Sequence, residues 1–198
     1  MSKHRILTAT SALLVIAGVA IGGYAALQIK EMHANSGSQV LPELAHFSTP
    51  MSPTALYQSI KIKRGDYLGS ITIPALKSTM PIYEGTEDAQ LKMGVGHFEG
   101  SVLPGVTDNS VLAGHRDSVF SHLGKLHLGD LLIVKTAAGN FTYKIFAFRI
   151  VEADDRTVIV PTPTAVLTLS TCYPFRYIGN APKRYIVSAN LLPAPPTI

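Results

Sequence analysis

The feature that most limits the fold of this chain is a series of short apolar runs after Gly65. The runs are rich in Val, Ile, Thr, Phe and Tyr, and Gly, Pro, Asn and Asp separate them at intervals of about ten residues. β-Branched and aromatic side chains favour a pleated, half-buried backbone, whereas Gly and Pro favour turns. The pattern predicts an all-β sandwich or barrel with strands at residues 69–73, 80–84, 110–113, 131–136, 141–151, 166–172 and 184–191.

Helical segments are expected to be few and short. We expect a short helix within residues 52–62 and helical turns at residues 88–93 and 118–123. Residues 137–140 carry the sequence Ala-Ala-Gly-Asn and are predicted to form a hairpin turn between two strands. The sequence contains no internal repeat and no coiled-coil heptad, so a repeat architecture is excluded.

Composition favours one folded domain with a small appendage. Of the 198 residues, 46% are hydrophobic and 15% are charged, which excludes a disordered chain because enough apolar surface is available for a core. The 17 basic and 13 acidic residues give a net charge of +4, but the basic residues are scattered and Trp is absent. We therefore predict no nucleic-acid partner.

The cysteine and histidine content argues against a metal or any other cofactor. Cys172 is the single cysteine, which excludes an intrachain disulfide and a multi-cysteine zinc site. His122 and His127 are five residues apart, so they do not share a helix face as two metal ligands would. Together with His97 they are interpreted as core or surface histidines. The acidic residues within 152–155 are interpreted as a solvated turn, with a calcium site as the alternative.

The N-terminal part of the sequence predicts a membrane anchor. Residues 6–28 carry no charge and are long enough to cross about 30 Å of hydrocarbon, with a cleaved signal peptide as the alternative. Lys3 and Arg5 precede this segment, so the N-terminus is expected in the cytoplasm and the rest of the chain outside the membrane. The predicted order is a cytoplasmic end at 1–5, a transmembrane helix at 6–28, a stalk at 29–62, a catalytic domain at 63–192 and a tail at 193–198.

Three side chains suited to acyl transfer lie at the ends of predicted strands. Cys172 ends one strand, Arg184 begins the next, and His115 follows an earlier strand. A cysteine nucleophile benefits from a histidine as proton partner, and an arginine can stabilise an oxyanion. Taken singly, these residues are more often a buried thiol, a turn histidine and a surface cation. Asp117 is either an orienting carboxylate for His115 or a turn residue.

The motifs around these three residues favour a catalytic role over a buried thiol, a turn histidine and a surface cation. The sequence T-L-S-T-C at 168–172 is followed by Y-P-F and by K-R-Y-I-V at 183–187, and A-G-H-R occupies 113–116. In this order, the motifs resemble the active-site signature of the sortase family. The strand sequence I-T-I-P at 71–74 and the run G-H-F-E-G-S-V-L-P-G at 96–105 also resemble that family.

The resemblance implies an eight-stranded sortase-type β-barrel with short helices, on the outer face of the cell membrane, that acts as a cysteine transpeptidase. By the same resemblance, Cys172 attacks the threonine carbonyl of a Leu-Pro-x-Thr-type sorting signal in a protein substrate and forms a thioacyl enzyme. His115 exchanges protons with the leaving and incoming amines, and Arg184 stabilises the intermediate. The acceptor amine is expected on a peptidoglycan precursor or on a pilin-like lysine of another subunit.

The subclass and the peptide groove follow from the same resemblance. Cys-Tyr-Pro-Phe from residue 172 and Ala-Pro-Lys-Arg at 181–184 look most like class D, and the stalk lacks the Asp-Pro-aromatic lid typical of class C. The loop at 152–163 matches the loop that shapes the groove, and the groove residues are expected to be Ser170, Thr171, Glu152 and Val160.

Two other functions remain open on the sequence alone. A cysteine peptidase or hydrolase would use the same three residues if water replaced the amine. A catalytically silent, membrane-tethered binding domain would simply bury Cys172.

Overall fold

The computed structural model describes residues 51–176, 179 and 181–193. The predicted anchor at 6–28, the first part of the predicted stalk and most of the predicted tail lie outside the described residues. Across the described part of the chain, no helix has the length and apolar character needed to cross a membrane.

Within the described residues, eight strands form a closed barrel and two short helices accompany it. The helices are α1 (Pro53–Ser59) and α2 (Asp88–Met93), and single 3₁₀ turns occupy Pro74–Leu76 and Leu123–Lys125. The strands are β1 (Tyr67–Ile73), β2 (Ser78–Glu84), β3 (Val95–His97), β4 (Asp108–Ala113), β5 (Leu131–Thr136), β6 (Gly139–Glu152), β7 (Ala165–Tyr173) and β8 (Lys183–Leu191). Around the barrel their order is β1-β2-β3-β4-β7-β8-β6-β5.

The predicted eight-stranded β-barrel is confirmed, and most predicted strands lie within about two residues of the observed ones. β3 is the strand that the sequence pattern did not indicate. The helical turn expected at 118–123 is instead a run of hydrogen-bonded turns, and the 3₁₀ turn begins only at Leu123. The hairpin turn is shorter than expected, because β6 already begins at Gly139, which pairs with Thr136.

Alternating side chains fill the barrel. In β1, Gly69, Ile71 and Ile73 are buried while the residues between them are at least partly exposed, which is the two-residue period of a strand with one face in a core. The same interior is filled from the opposite side by the central residues of β4, β7 and β8, including Leu112, Leu169 and Val187. Burial of these aliphatic side chains is the main source of stability for a small barrel.

Helix α1 is tied to the barrel although it falls within the predicted stalk. Ser52 caps its N-terminus by accepting a hydrogen bond from the Ala55 N–H. The Tyr57 hydroxyl donates to the Pro104 carbonyl at 3.0 Å and lies 2.7 Å from the Thr136 hydroxyl. Burial raises the pKa of Tyr57, and its hydrogen bond with Thr136 partly offsets that effect.

The strand order brings the chemistry-bearing residues to one end of the barrel. β4 and β7 are parallel neighbours, so the residues that follow them leave the sheet at the same edge. β8 runs antiparallel to β7 and begins at that edge. The end of β7, the start of β8 and the loop after β4 therefore meet in one place.

Candidate active site

Cys172 and Arg184 face each other across two neighbouring strands. They are directly paired in the register of β7 with β8, and both side chains are partly exposed. Residues directly opposite in an antiparallel pair project on the same face of the sheet. The pairing therefore places Arg184 beside Cys172 on one face of the sheet, as the sequence motifs implied.

Two hydrogen bonds connect the chain before His115 to the chain before Cys172. The Gly114 N–H donates to the Ser170 carbonyl at 3.2 Å, and the buried Thr171 hydroxyl donates to the Gly114 carbonyl at 2.7 Å. Gly114 immediately precedes His115, and Thr171 immediately precedes Cys172. These bonds thus fix the spacing between the backbones that carry the imidazole and the thiol.

The three predicted catalytic side chains line one open pocket of about 230 Å³. His115, Cys172 and Arg184 share this pocket with Arg116 and Asp117. Arg184 donates from Nη1 to the Ala181 and Lys183 carbonyls at 3.2 and 3.0 Å. Because both of these bonds use Nη1, the N–H groups on Nε and Nη2 have no protein acceptor among the described residues. The guanidinium is therefore held through Nη1 alone, and Arg184 lines the pocket.

Asp88 is the carboxylate that the structure places near His115. Its Oδ1 lies 3.9 Å from His115 Nε2, and its Oδ2 lies 2.5 Å from the Lys92 ammonium on the same helix. The hydrogen bond and charge of Lys92 lower the pKa of Asp88, with a smaller contribution from His115. Asp117 is exposed and lines the pocket as a turn residue. Asp88 could not be inferred from the sequence as a neighbour of His115, because the two residues are 27 positions apart along the chain.

A second pocket, of about 200 Å³, continues from Arg184 along the barrel surface. Ser170 and Glu152, two of the predicted groove residues, line it. Its apolar part is formed by strand residues and by the loop after β6, and the side chains involved are those of Val111, Val151, Val158, Ile159 and Ile186. Its volume is below the roughly 300–1,000 Å³ of typical ligand pockets, but its lining offers aliphatic surface to an extended chain that crosses it.

The other two predicted groove residues lie elsewhere. Val160 lines a neighbouring pocket of about 300 Å³ together with Asn109 and Glu99. Thr171 is only 3% exposed and lies on the opposite face of β7 from Ser170, because side chains alternate along a strand. Its hydroxyl bonds the Gly114 carbonyl, so Thr171 joins two strands rather than lining the groove.

The loop between β6 and β7 is fastened at both of its ends. At the first end, Arg149 Nη2 donates to the Thr157 hydroxyl at 2.7 Å, and Asp155 Oδ1 accepts from the Thr157 N–H at 2.7 Å. These bonds with Thr157 hold the pKa of Asp155 below its usual value, with a smaller contribution from the charge of Arg149. Asp155 is therefore more than a solvated acidic residue, since it orders the backbone of the loop.

At the second end, the loop is held by the first residues of β4. Asn109 Nδ2 donates to the Val158 carbonyl at 3.0 Å, and the Thr162 N–H donates to Asp108 Oδ1 at 2.7 Å. The buried Thr168 hydroxyl donates to Asn109 Oδ1 at 2.7 Å and fixes the orientation of this amide. The loop that carries Val158 and Ile159 is thus prearranged by side chains of the barrel.

Two other described histidines, His97 and His127, lie beside carboxylates. His97 is buried, with Nδ1 2.8 Å from Glu84 Oε2 and Nε2 3.0 Å from the Val102 carbonyl. His127 is exposed near Asp130. In the parts of the chain that the structure describes, no three His, Cys, Asp or Glu side chains are grouped as metal ligands.

A family model described as a sortase domain matches residues 71–192. Together with the barrel and the pocket that contains a cysteine, a histidine and an arginine, this match shows that the chain belongs to the sortase family. Sortases are cysteine transpeptidases.

Within that family the chain has a class D homologue. It is 34% identical to sortase D of Bacillus subtilis over 184 residues, and this alignment covers 88% of this chain and 93% of that protein. Among solved structures, sortase A from Corynebacterium diphtheriae has a TM-score of 0.62 and 30% identity and covers 69% of this chain and 65% of that chain. A sortase D5 transpeptidase of Clostridium perfringens has a TM-score of 0.61 and 30% identity, with coverages of 67% and 83%.

Proposed function

We propose that this chain is a membrane-anchored sortase that cleaves a Leu-Pro-x-Thr-type sorting signal after the threonine and transfers the acyl group to an amine. The observation that carries this proposal is the pocket in which Cys172, His115 and Arg184 meet, next to an apolar groove. Membership of the sortase family supports the reaction type.

In the first half of the reaction, the Cys172 thiolate attacks the threonine carbonyl and forms a tetrahedral oxyanion. Arg184 lines the pocket, and the N–H groups on its Nε and Nη2, which have no acceptor among the described residues, are the donors proposed for that oxygen. The C–N bond then breaks, and His115 gives its proton to the leaving amine. The result is a thioester on Cys172 and a released peptide.

In the second half, an incoming amine attacks the thioester and His115 removes its extra proton. The C–S bond breaks, the thiolate leaves, and a new amide joins the threonine to the acceptor. The pocket is open, so an acceptor amine can reach the thioester while the acyl chain still occupies the groove. The proposed acceptor is a peptidoglycan precursor or a pilin-like lysine.

The proposed location follows from the uncharged segment at 6–28 and the basic residues before it. The proposed sorting motif is carried over from the resemblance to the sortase family. The aliphatic surface of Val111, Ile159 and Ile186 supports it, because leucine and proline side chains can pack there.

The test uses the full-length chain with a panel of Leu-Pro-x-Thr-Gly and Leu-Pro-x-Thr-Ala peptides, with and without an added amine, read by mass spectrometry. We expect cleavage after threonine and transfer to the amine, with neither product formed by Cys172→Ala. Products of water alone in the presence of a range of amines would contradict transfer and indicate a hydrolase. Absence of any reaction, with a folded chain whose Cys172 resists a small methanethiosulfonate, would favour a silent binding domain.

A further inference from the structure

The largest of the four pockets described for this chain lies outside the cysteine site. It measures about 630 Å³, against about 230, 300 and 200 Å³ for the other three. One wall is the 3₁₀ turn between β1 and β2, and the other is the segment at 118–125 that follows the histidine loop. The side chains that matter below are Leu76, Lys77, Met80, Val119, His122 and Lys125.

The rim of this pocket is positively charged. Lys77, Lys125 and His122 are all exposed there, and the described lining contains no acidic residue. Among the described residues neither of these lysines has an ion-pair partner, whereas Lys92 and Lys183 each pair with a carboxylate. Two ammonium groups that share one concavity without a counter-charge create a local field that attracts an anion.

A hydroxyl group beside the pocket orients the histidine. The Ser121 hydroxyl donates to the Ser118 carbonyl at 2.8 Å, so at 2.9 Å from His122 Nδ1 it can only accept. The Nδ1 atom of His122 therefore carries its proton. Lys77 ends the 3₁₀ turn with a φ of +50°, a conformation that glycine or asparagine adopts at lower cost. The chain nevertheless places a long cation there.

The floor of the pocket is apolar. Met80 is buried, and Leu76 and Val119 pack against the barrel core from the two walls. A ligand that fits this lining has an anionic group at the rim and a hydrocarbon part below it. Phosphate esters have this character, because phosphate accepts hydrogen bonds from ammonium and hydroxyl groups while its ester group can be apolar.

We propose that this pocket binds a phosphate ester, with the phosphate between Lys77 and Lys125 and the ester hydrocarbon on Met80. The site adjoins the proposed catalytic centre, because the Phe120 N–H donates to the His115 carbonyl at 3.0 Å. A bound phosphate ester lies against the segment that continues from His115. The hydrocarbon contact distinguishes such an ester, for example a lipid-linked phosphate, from inorganic phosphate, which carries no ester group.

The test measures binding rather than acyl transfer, so it does not depend on the role of Cys172. The full-length chain with Cys172→Ala is titrated with n-butyl phosphate, inorganic phosphate and n-butanol, and backbone amide shifts are followed by NMR. We expect shifts at 76–80 and 118–125, and n-butyl phosphate should bind about tenfold more tightly than inorganic phosphate because alkyl groups contact the floor. Equal affinity for the two phosphates would contradict the hydrocarbon part, and a lipid-linked source with it.

A pair of double variants with equal charge tests the assigned lysines. Lys77→Gln with Lys125→Gln should weaken n-butyl phosphate about tenfold or more, because both ammonium groups contact the phosphate. The control is Lys135→Gln with Lys144→Gln, which removes the same charge from exposed positions on β5 and β6. The control should retain its affinity within about twofold. Equal weakening by both pairs, or no phosphate binding at millimolar concentration, would overturn the proposal.

Discussion

Replacing Thr171 by valine removes one hydroxyl at the point where the two catalytic strands are joined. Valine has nearly the same shape as threonine, so β7 keeps its packing and loses only the bond from Thr171 to the Gly114 carbonyl. The neighbouring bond from the Gly114 N–H to the Ser170 carbonyl remains. We therefore expect a folded barrel in which the loop carrying His115 is less firmly placed relative to Cys172.

The size of the effect follows from burial. Thr171 is 3% exposed and Gly114 is also buried, so water does not replace the lost donor. A buried carbonyl left without its partner costs about 1–3 kcal/mol, which for a domain of this size lowers Tm by roughly 3–8 °C. A displacement of the imidazole by a fraction of an ångström should lower kcat by about ten- to a hundredfold.

The assay compares Thr171→Val with Thr168→Val on the full-length chain. Thr168 is in the same strand, is equally buried, and its hydroxyl makes a bond of the same 2.7 Å length, but to Asn109. Thermal unfolding should show similar losses for both variants, whereas kcat for peptide cleavage should fall only for Thr171→Val. Thr171→Ser, which keeps the hydroxyl, should restore most of kcat. The reasoning is refuted if Thr168→Val and Thr171→Val lose kcat equally, or if Thr171→Ser does not rescue it.

Three further predictions concern the groove, the core and the oxyanion. Arg149→Met should raise the KM for peptide about threefold at unchanged kcat, because the loop at 152–163 loses the hydrogen bond from Arg149 to Thr157. An unchanged KM in steady-state kinetics would contradict this prediction. Burial raises the pKa of Tyr143 to about 12. The neutral hydroxyl therefore contributes about 3 kcal/mol to folding stability below pH 10, and this contribution is lost as the pH rises towards 12. Denaturant unfolding from pH 9 to 12 should show a steeper loss of the free energy of unfolding in the wild type than in Tyr143→Phe. Arg184→Lys keeps the charge but not the planar donors, and kcat should fall about a hundredfold in single-turnover assays; near-normal kcat would assign Arg184 a structural role.

Much of the barrel could be predicted because its strands have local signatures. The alternation in β1 and the mostly buried runs of β4 and β7 are visible within a few residues. β3 has no such signature, since it is three residues long, includes Gly96, and exists because β2 pairs with it in parallel and β4 antiparallel. Pairing between distant segments is not encoded in a short window of sequence.

The candidate site, like the barrel, could be predicted only in part from local sequence. Cys172, His115 and Arg184 were predicted from motifs at strand ends, and the strand order then brings them to one pocket. The contacts that support them were not predictable, because Asp88 reaches His115 from a separate helix and Thr171 acts through the backbone of a parallel strand. The resemblance suggested a groove position for Thr171, but the two-residue period of β7 turns its side chain inward.

The central claim is that Cys172 forms a covalent acyl intermediate with the carbonyl of the signal threonine. The most direct measurement is the intact mass of the full-length chain after mixing with a Leu-Pro-x-Thr-Gly peptide without an amine, followed by peptide mapping of the adduct. The account predicts a mass increase equal to the peptide up to its threonine, located on Cys172, which disappears when an amine is added and is absent from Cys172→Ala. Turnover of the peptide by Cys172→Ala, or an adduct on another residue, would contradict it.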